Sequence, residues 1–408
     1  MRNPGAAGLR GPDMASRTGG GEAGRIPSPT HGGTMSSTRR TAEAHAAAPE
    51  RLDRTDQITA PWIASVLRGS ELDAPVAAVD LEPFGDGKVS DTARVRITYA
   101  EPVAGAPDSL ICKFHSTEPG AHGFAIAALL YLHELHSYRE VGARGACRIP
   151  RAHLAEGDID WINLVMDDLS ATTDPGDQLG GCDLDQSHAV VREIAGLHAA
   201  FADLDPATAP SWLTRLSDSA AIWCGPTGLG AGLAARWFAD RLPAASIALL
   251  ERLPAATERF FAHPLDRLAL THGDVKADNV LFTRDEEPAG ALILDWQNVG
   301  LRNPVFDLAY YLSGSVTVDD RRAHERELLA AYAELVGEHG GDHPLEAVEA
   351  DYRVQLLSGA IQTAAAVAFV SAGGEQELAP GVHDFLATLL ERNLTAVGDW
   401  DSIGAVGA

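Results

Sequence analysis

Hydrophobic and polar positions follow a period of two in one part of the chain and the helical period in the rest. Between residues 92 and 99, Ala93, Val95, Ile97 and Tyr99 alternate with Thr92, Arg94, Arg96 and Thr98, which predicts a strand with one wet face. SLICKF at 109–114 and WINLVM at 161–166 predict two more strands, the first reached through the turn-rich EPVAGAPD. A helix is expected between them over 124–141, and a short one over 58–67, ahead of a β-rich stretch that begins near Val79.

Beyond residue 168 the period changes. Val190, Ile194, Leu197 and Phe201 lie at helical spacing, and longer helical patterns cover 233–253, 321–336, 345–370 and 382–397. Two short apolar runs, 280–282 and 291–294, break the helical part, and the polar stretch 284–290 between them could close a hairpin. The order of elements predicts an α+β protein of two lobes. Residues 1–54 form a tail, 55–168 a β-rich first lobe, and 169–408 a mainly helical second lobe that carries the hairpin, with a ligand cleft between the lobes.

Composition narrows this picture. The first fifty residues are rich in Gly, Ala, Pro, Ser, Thr and Arg and lack the apolar core of a secretory signal, so a disordered tail is expected, with Met14 and Met35 as further candidate starts. A net charge of −25 argues against nucleic acid and anionic membrane surfaces as partners. The four cysteines lie far apart without zinc or redox spacing, which fits a reducing cytoplasm. No run of 18 apolar residues is present, so no membrane span is expected. Oligomeric state is left open.

Candidate chemistry concentrates in LTHGDVKADNVLF (270–282) and ALILDWQ (291–297). Asp274, Asn279 and Asp295 place a base beside an amide and a second carboxylate that can share metal ions, the set that ATP-dependent phosphoryl transfer needs. Asp274 is the candidate base for an attacking hydroxyl, while Asn279 and Asp295, the latter closing a strand, are candidate magnesium ligands. A turn aspartate, a strand-start asparagine and a strand cap would each explain one of these residues, but not all three together. Lys276 could neutralise a γ-phosphate or simply be a solvated loop lysine, and His272 reads as a packing residue that fixes the loop.

HGDVKADN with ILDWQ resembles the aminoglycoside phosphotransferase and choline kinase group of protein-kinase-like enzymes, and NPVFDLAYYL (303–312) looks most like their ecdysteroid-kinase-like branch. The resemblance implies a two-lobed kinase fold and a magnesium-dependent transfer of the ATP γ-phosphoryl group to a hydroxyl of a small molecule. It implies that Asp307 supports the catalytic loop from below. Lys113 in SLICKF matches the lysine that contacts the α- and β-phosphates, with Glu134 as its partner and Glu140 as the competing choice. FGDGKVS (84–90) matches the phosphate-covering loop, with Gly85, Gly87 and Ser90. LVMDDL (164–169), with Met166 and Asp168, matches the hinge that meets adenine, and His198 in IAGLHAAF is read as helix packing.

Only residues 296–306 separate Asp295 from Asp307, too few for an activation segment or a peptide platform, so the acceptor is expected to be a small molecule. The alternative is a catalytically silent nucleotide-binding module. The acceptor stays open among aminoglycosides, choline-like compounds, sugars and sterol-like alcohols, and so does ATP against GTP. The C-terminal DWDSIGAVGA, with Asp399 and Asp401, only partly resembles the acidic tail that meets an antibiotic's amines, and the branch itself points to a larger, more apolar alcohol.

Overall fold

The alternation at 92–99 forms the strand it predicts, inside a five-stranded antiparallel sheet of order β1-β2-β3-β5-β4. Its members are β1 (Val76–Pro83), β2 (Ser90–Tyr99), β3 (Ser109–His115), β4 (Ala152–Asp158) and β5 (Trp161–Asp167). The computed structural model describes residues 49–84, 89–202, 204–372 and 380–408. On one face of the sheet, α1 (Ala60–Gly69) buries Trp62, Ile63, Val66 and Leu67 against Val95, Leu110, Cys112 and Phe114. Because side chains alternate along a strand, Arg94, Ile111 and Lys113 are left for the opposite face. That face receives the helical layer and opens on the cleft.

The helix expected over 124–141 is two helices, α2 (Pro119–Ala127) and α3 (Leu130–Arg144). The chain breaks at Leu129, which adopts a left-handed φ of 59°. The break re-aims α3, so that Tyr131, Glu134 and Tyr138 are all buried on the sheet side. The chain is also fixed earlier than Thr55. The Trp62 indole donates to the Glu50 carbonyl, and the buried Asn163 amide pairs with both backbone groups of Leu52. The expected tail over residues 1–48 lies outside the described residues.

The second lobe contains β6 (Thr173–Pro175), α4 (Leu184–Ala200), β7 (Thr214–Arg215), α5 (Ala220–Trp237), α6 (Ala244–Ala262) and β8 (Ala269–Thr271). The expected hairpin is β9 (Val280–Thr283) with β10 (Ala291–Ile293), Val280 opposite Ile293 and Phe282 opposite Ala291. β11 (Gly300–Arg302) then pairs with β7 and β8, and α7 (Val305–Ser315), α8 (Val318–Glu338), α9 (Leu345–Gln355), α10 (Leu357–Ala372), α11 (Pro380–Asp399) and α12 (Ser402–Ala405) complete the chain.

The pattern over 233–253 is interrupted: α5 ends at Trp237, and α6 begins at Ala244, directly after Pro243. The pattern over 345–370 turns at Leu356. This lets α9 pack on α7 and α8 while α10 packs on α5 and α11. By length and composition the stretch Leu345–Ser371 could cross a bilayer, but 72% of its most apolar window is buried inside the protein, so here it serves as core. The result is an α+β fold of two lobes, β-rich then helical, whose facing surfaces carry Lys113 and the loop after β8.

Candidate active site

The loop after β8 is held from below by Asp307 in the first turn of α7. Its carboxylate accepts the backbone N–H of His272 at 2.7 Å and of Gly273 at 2.8 Å. Asp307 is fully buried, and burial alone would raise its pKa. The hydrogen bond from His198 and the loop N–H group hold it below the ordinary range instead. His198 in α4 bridges Asp307 (3.1 Å) and the Tyr332 hydroxyl (2.8 Å), so it is a support for the loop and more than a packing residue. Gly273 has a φ of +83°, and a Cβ there would run into the Asn298 carbonyl. His272 is buried and kept below its usual pKa by that burial. Its Nδ1 accepts the Asp274 N–H, and its Nε2–H donates to the Leu294 carbonyl at 2.9 Å.

Both oxygens of Asp274 are engaged. Oδ1 accepts the Tyr310 hydroxyl at 2.9 Å, and Oδ2 accepts Lys276 Nζ at 2.9 Å and the Asn279 amide N–H at 3.2 Å. The same Asn279 nitrogen donates to the Asp274 carbonyl at 3.0 Å, which leaves the amide oxygen pointing away from the loop. Asp274 is the first cause of a raised Lys276 pKa, so that ammonium stays charged. Burial, then Asp274, pushes the Tyr310 hydroxyl well above its usual value and keeps it a donor.

Across the cleft, Lys113 Nζ lies 2.7 Å from Glu134 and 2.8 Å from Asp295. Burial alone would depress this lysine, but the two carboxylates hold it above its ordinary pKa. Burial likewise opposes ionisation of Asp295, which Lys113 and then Lys276 outweigh, leaving it ionised. The Gln297 amide donates to the second Glu134 oxygen at 3.2 Å, so the buried glutamate is satisfied from both lobes. Glu140 sits on the surface beside His136.

Asp295 does not close a strand. β10 ends at Ile293, and Asp295 stands two residues on with a left-handed φ of 61°, a backbone that costs a non-glycine residue roughly 1 kcal/mol or more. The fully buried Trp296, whose indole donates to the Ile293 carbonyl, packs edge-on against His272 and fixes that turn. Asn279 ends a short 3-10 turn, Ala277–Asn279, ahead of β9.

Of the other expected residues, Gly85 and Gly87 lie outside the described residues. Ser90 opens β2 and is buried. Met166 is in the interior of the sheet, between β3 and β4, with the Tyr138 hydroxyl on its sulfur. Asp168 spends its carboxylate within the first lobe, on Arg94 and the Ser109 hydroxyl, both at 2.7 Å, so only its backbone faces a ligand's needs. Arg94 in turn lies over the Phe84 ring at 4.4 Å. The tail carboxylates are also committed, Asp399 to Arg321 and Arg322, and Asp401 to Arg353.

Sequence reasoning missed Tyr310, Gln178 and Ser315, and it named His198 only as helix packing. Tyr310 could have been found, because it stands one helical turn beyond Asp307. Gln178 and Ser315 both accept the Ala277 N–H and lock the loop's far end, and nothing near Gln178 in the sequence signals this.

Among the described residues no three His, Cys, Asp or Glu side chains cluster into a self-sufficient metal site. The free Asn279 amide oxygen and Asp295 do supply two hard oxygen donors. The bond from Leu294 N–H to the Asn279 carbonyl, 2.8 Å, ties the segments bearing them together. Such a pair suits magnesium, which takes few protein oxygens and completes its shell with phosphate and water.

The resemblance read from the motifs is borne out. The sequence profile of the ecdysteroid kinase-like family matches residues 240–340, which contain the loop, the hairpin and Asp307. A choline kinase from Cryptosporidium parvum Iowa II has a similar structure, with a TM-score of 0.50 at 11% identity over 80% of this chain and 91% of that one. A choline/ethanolamine kinase family protein from Mesorhizobium loti gives 0.49 at 15% identity over 80% and 92%. An aminoglycoside phosphotransferase from Streptomyces rimosus gives 0.38 at 17% over 73% and 97%. No curated protein matches the chain. At such identities the likeness to the first of these establishes the fold alone, the two-lobed kinase-like α+β architecture.

Proposed function

We propose that the chain is a small-molecule kinase that transfers the γ-phosphoryl group of ATP to a hydroxyl. One observation carries this reading. The Lys113–Glu134 pair of the first lobe meets Asp295 of the second, on the same cleft as a loop carboxylate, Asp274, held by three donors. A structural role alone does not require these charges to converge across two lobes.

Each group has a task that follows from its surroundings. Asp274 orients the acceptor hydroxyl and finally takes its proton, and Tyr310 and Asn279 fix the carboxylate's direction while it does so. Lys276, already charged beside Asp274, offsets negative charge on the group in transfer. Lys113 binds the α- and β-phosphates, and Glu134, itself held by Gln297, keeps the ammonium aimed. Asn279 and Asp295 would hold magnesium, which when bound supplies charge neutralisation between the β- and γ-phosphates. The transition state is loose, so positioning and electrostatics supply most of the acceleration.

The segment between Asp295 and Asp307 supports a small acceptor. It is filled by a 3-10 turn, Trp296–Asn298, and the three-residue β11, which leaves no platform for a peptide. The test is magnesium-dependent ADP release against aminoglycosides, macrolides, choline, sugars, hydroxy acids and sterol-like alcohols. Release with one class, lost in Asp274→Ala, is the expected result. ATP binding with no turnover on any acceptor would favour the silent nucleotide-binding module instead.

A further inference from the structure

Beside the proposed base lies a small cavity of about 30 Å³, lined by Gly273, the residue immediately before Asp274, and by side chains from α5, α6, α7 and α10. Its walls include Trp223, Phe260, Phe306 and Ile361. Two polar groups in it are out of balance. Arg302, at the end of β11, gives two of its N–H groups to neutral acceptors, the Thr271 hydroxyl and the Asn298 carbonyl, both at 2.9 Å. Its guanidinium lies 5.0 Å from the centre of the Phe306 ring, and among the described residues no carboxylate pairs with it. Ser358, 1% exposed, has a buried hydroxyl with no hydrogen-bond partner.

The unpaired cation is notable in this chain. Aspartates and glutamates number 57 against 32 lysines and arginines, so carboxylate partners are abundant elsewhere. Burial lowers the Arg302 pKa to about 10, and the buried Asp307 carboxylate, which is not hydrogen-bonded to it, offsets this only in part. Space has nevertheless been cleared for it, because a Cβ at either Gly273 or Gly300 would overlap the guanidinium. Arg302 is half-buried; a charge drawn from water without an ionic partner is costly, and the buried, unsatisfied Ser358 hydroxyl adds to the cost. The two together, in one cavity with apolar walls and no lining carboxylate, describe a binding site waiting for an anion.

Resting on the kinase reading, we propose that this cavity takes a carboxylate group of the acceptor, held by Arg302 and the Ser358 hydroxyl, so that the acceptor is a hydroxy acid. The cavity has room for a group of a few atoms rather than a whole ligand, so the remainder of the acceptor extends towards Asp274, where its hydroxyl is phosphorylated. A polycationic or quaternary-ammonium acceptor would find a repelling charge here instead of the carboxylates it needs.

The test uses the full chain without nucleotide, and reads binding by calorimetry during titration with acetate and benzoate, with acetamide and benzamide as neutral controls. Saturable binding of at least one carboxylate is expected, at least 10-fold tighter than its amide. Arg302→Gln should weaken it at least 10-fold, Arg302→Lys less, and Ser358→Ala several-fold. Ser358→Ala and Arg302→Lys keep the test decisive if Arg302→Gln fails to fold. No saturable carboxylate binding, or binding indifferent to these substitutions, overturns the proposal. The two readings separate cleanly. ADP release on neutral alcohols without carboxylate binding, or carboxylate binding with transfer to neutral alcohols but to no hydroxy acid, would sink the acceptor assignment alone, whereas carboxylate binding with no phosphoryl transfer to any acceptor class would sink the kinase.

Discussion

The two sides of the cleft are built on opposite principles. On the nucleotide side every charge is answered: Lys113 by Glu134 and Asp295, and Glu134 by Gln297. On the proposed acceptor side Arg302 hydrogen-bonds only to neutral groups, and the Ser358 hydroxyl has no partner. A matched set holds its geometry before any ligand arrives, which suits phosphates that recur in every ATP. An unmatched set stores its interactions for a ligand, which suits the half of the reaction that differs between enzymes. Preorganisation and specificity are thus separated in space.

Substitutions can break this contrast, and the largest effect should come from the loop between the two sides. Asp274→Ala is expected to lower turnover at least ~100-fold, about 3 kcal/mol of barrier, with ATP affinity nearly unchanged; steady-state ADP release checks it. Asp307→Ala should act on the fold instead. It strips the partner from two loop N–H groups and from His198, and it should cost about 3 kcal/mol, read as a lower denaturant midpoint. Tyr310→Phe removes a single donor from Asp274 and should cost roughly 10-fold in kcat, about 1.4 kcal/mol, at unchanged KM for ATP. Equal activity in this variant would show that Lys276 and Asn279 suffice to aim the base.

The smallest effect near neutral pH is a pH dependence on the matched side. His133, whose Nδ1–H meets the Gln297 carbonyl at 2.9 Å, is held by burial at a pKa of about 4 against an ordinary 6.5. The unfolded chain therefore takes up this proton first. The contribution is complete above pH 6.5 and is lost as pH falls towards 4, about 1 kcal/mol by pH 6. Chemical denaturation of wild type and His133→Gln across this range should show the variant with the flatter profile.

How much of this was legible in the sequence follows the same divide. The matched side is local in sequence or repeats a strong pattern: SLICKF alternates, HGDVKADN and ILDWQ are adjacent, and Lys113 is a charge among apolar residues that demands a partner. Errors there were geometric. Asp295 was expected to close a strand and instead occupies a left-handed turn two residues beyond the end of β10, beside the fully buried Trp296. The break between Trp237 and Ala244 was hidden by the helical periodicity over 233–253, and proline did not mark it, since Pro226 and Pro254 both lie inside helices.

The acceptor side was not legible. Its cavity brings together residues from 216 to 362, and no spacing links Arg302 to Ser358. Gln178, and the supporting role of His198, which hold the loop from about a hundred residues upstream, were invisible for the same reason, since tertiary partners leave no local period.

The most direct test of the central claim is to follow labelled γ-phosphate from ATP into an acceptor for wild type and Asp274→Asn, with ATP affinity measured on both. The account predicts magnesium-dependent transfer by wild type that falls at least ~100-fold in the variant while ATP affinity stays within roughly 3-fold. Equal transfer by both proteins, or a wild type that binds ATP and transfers nothing, would contradict it.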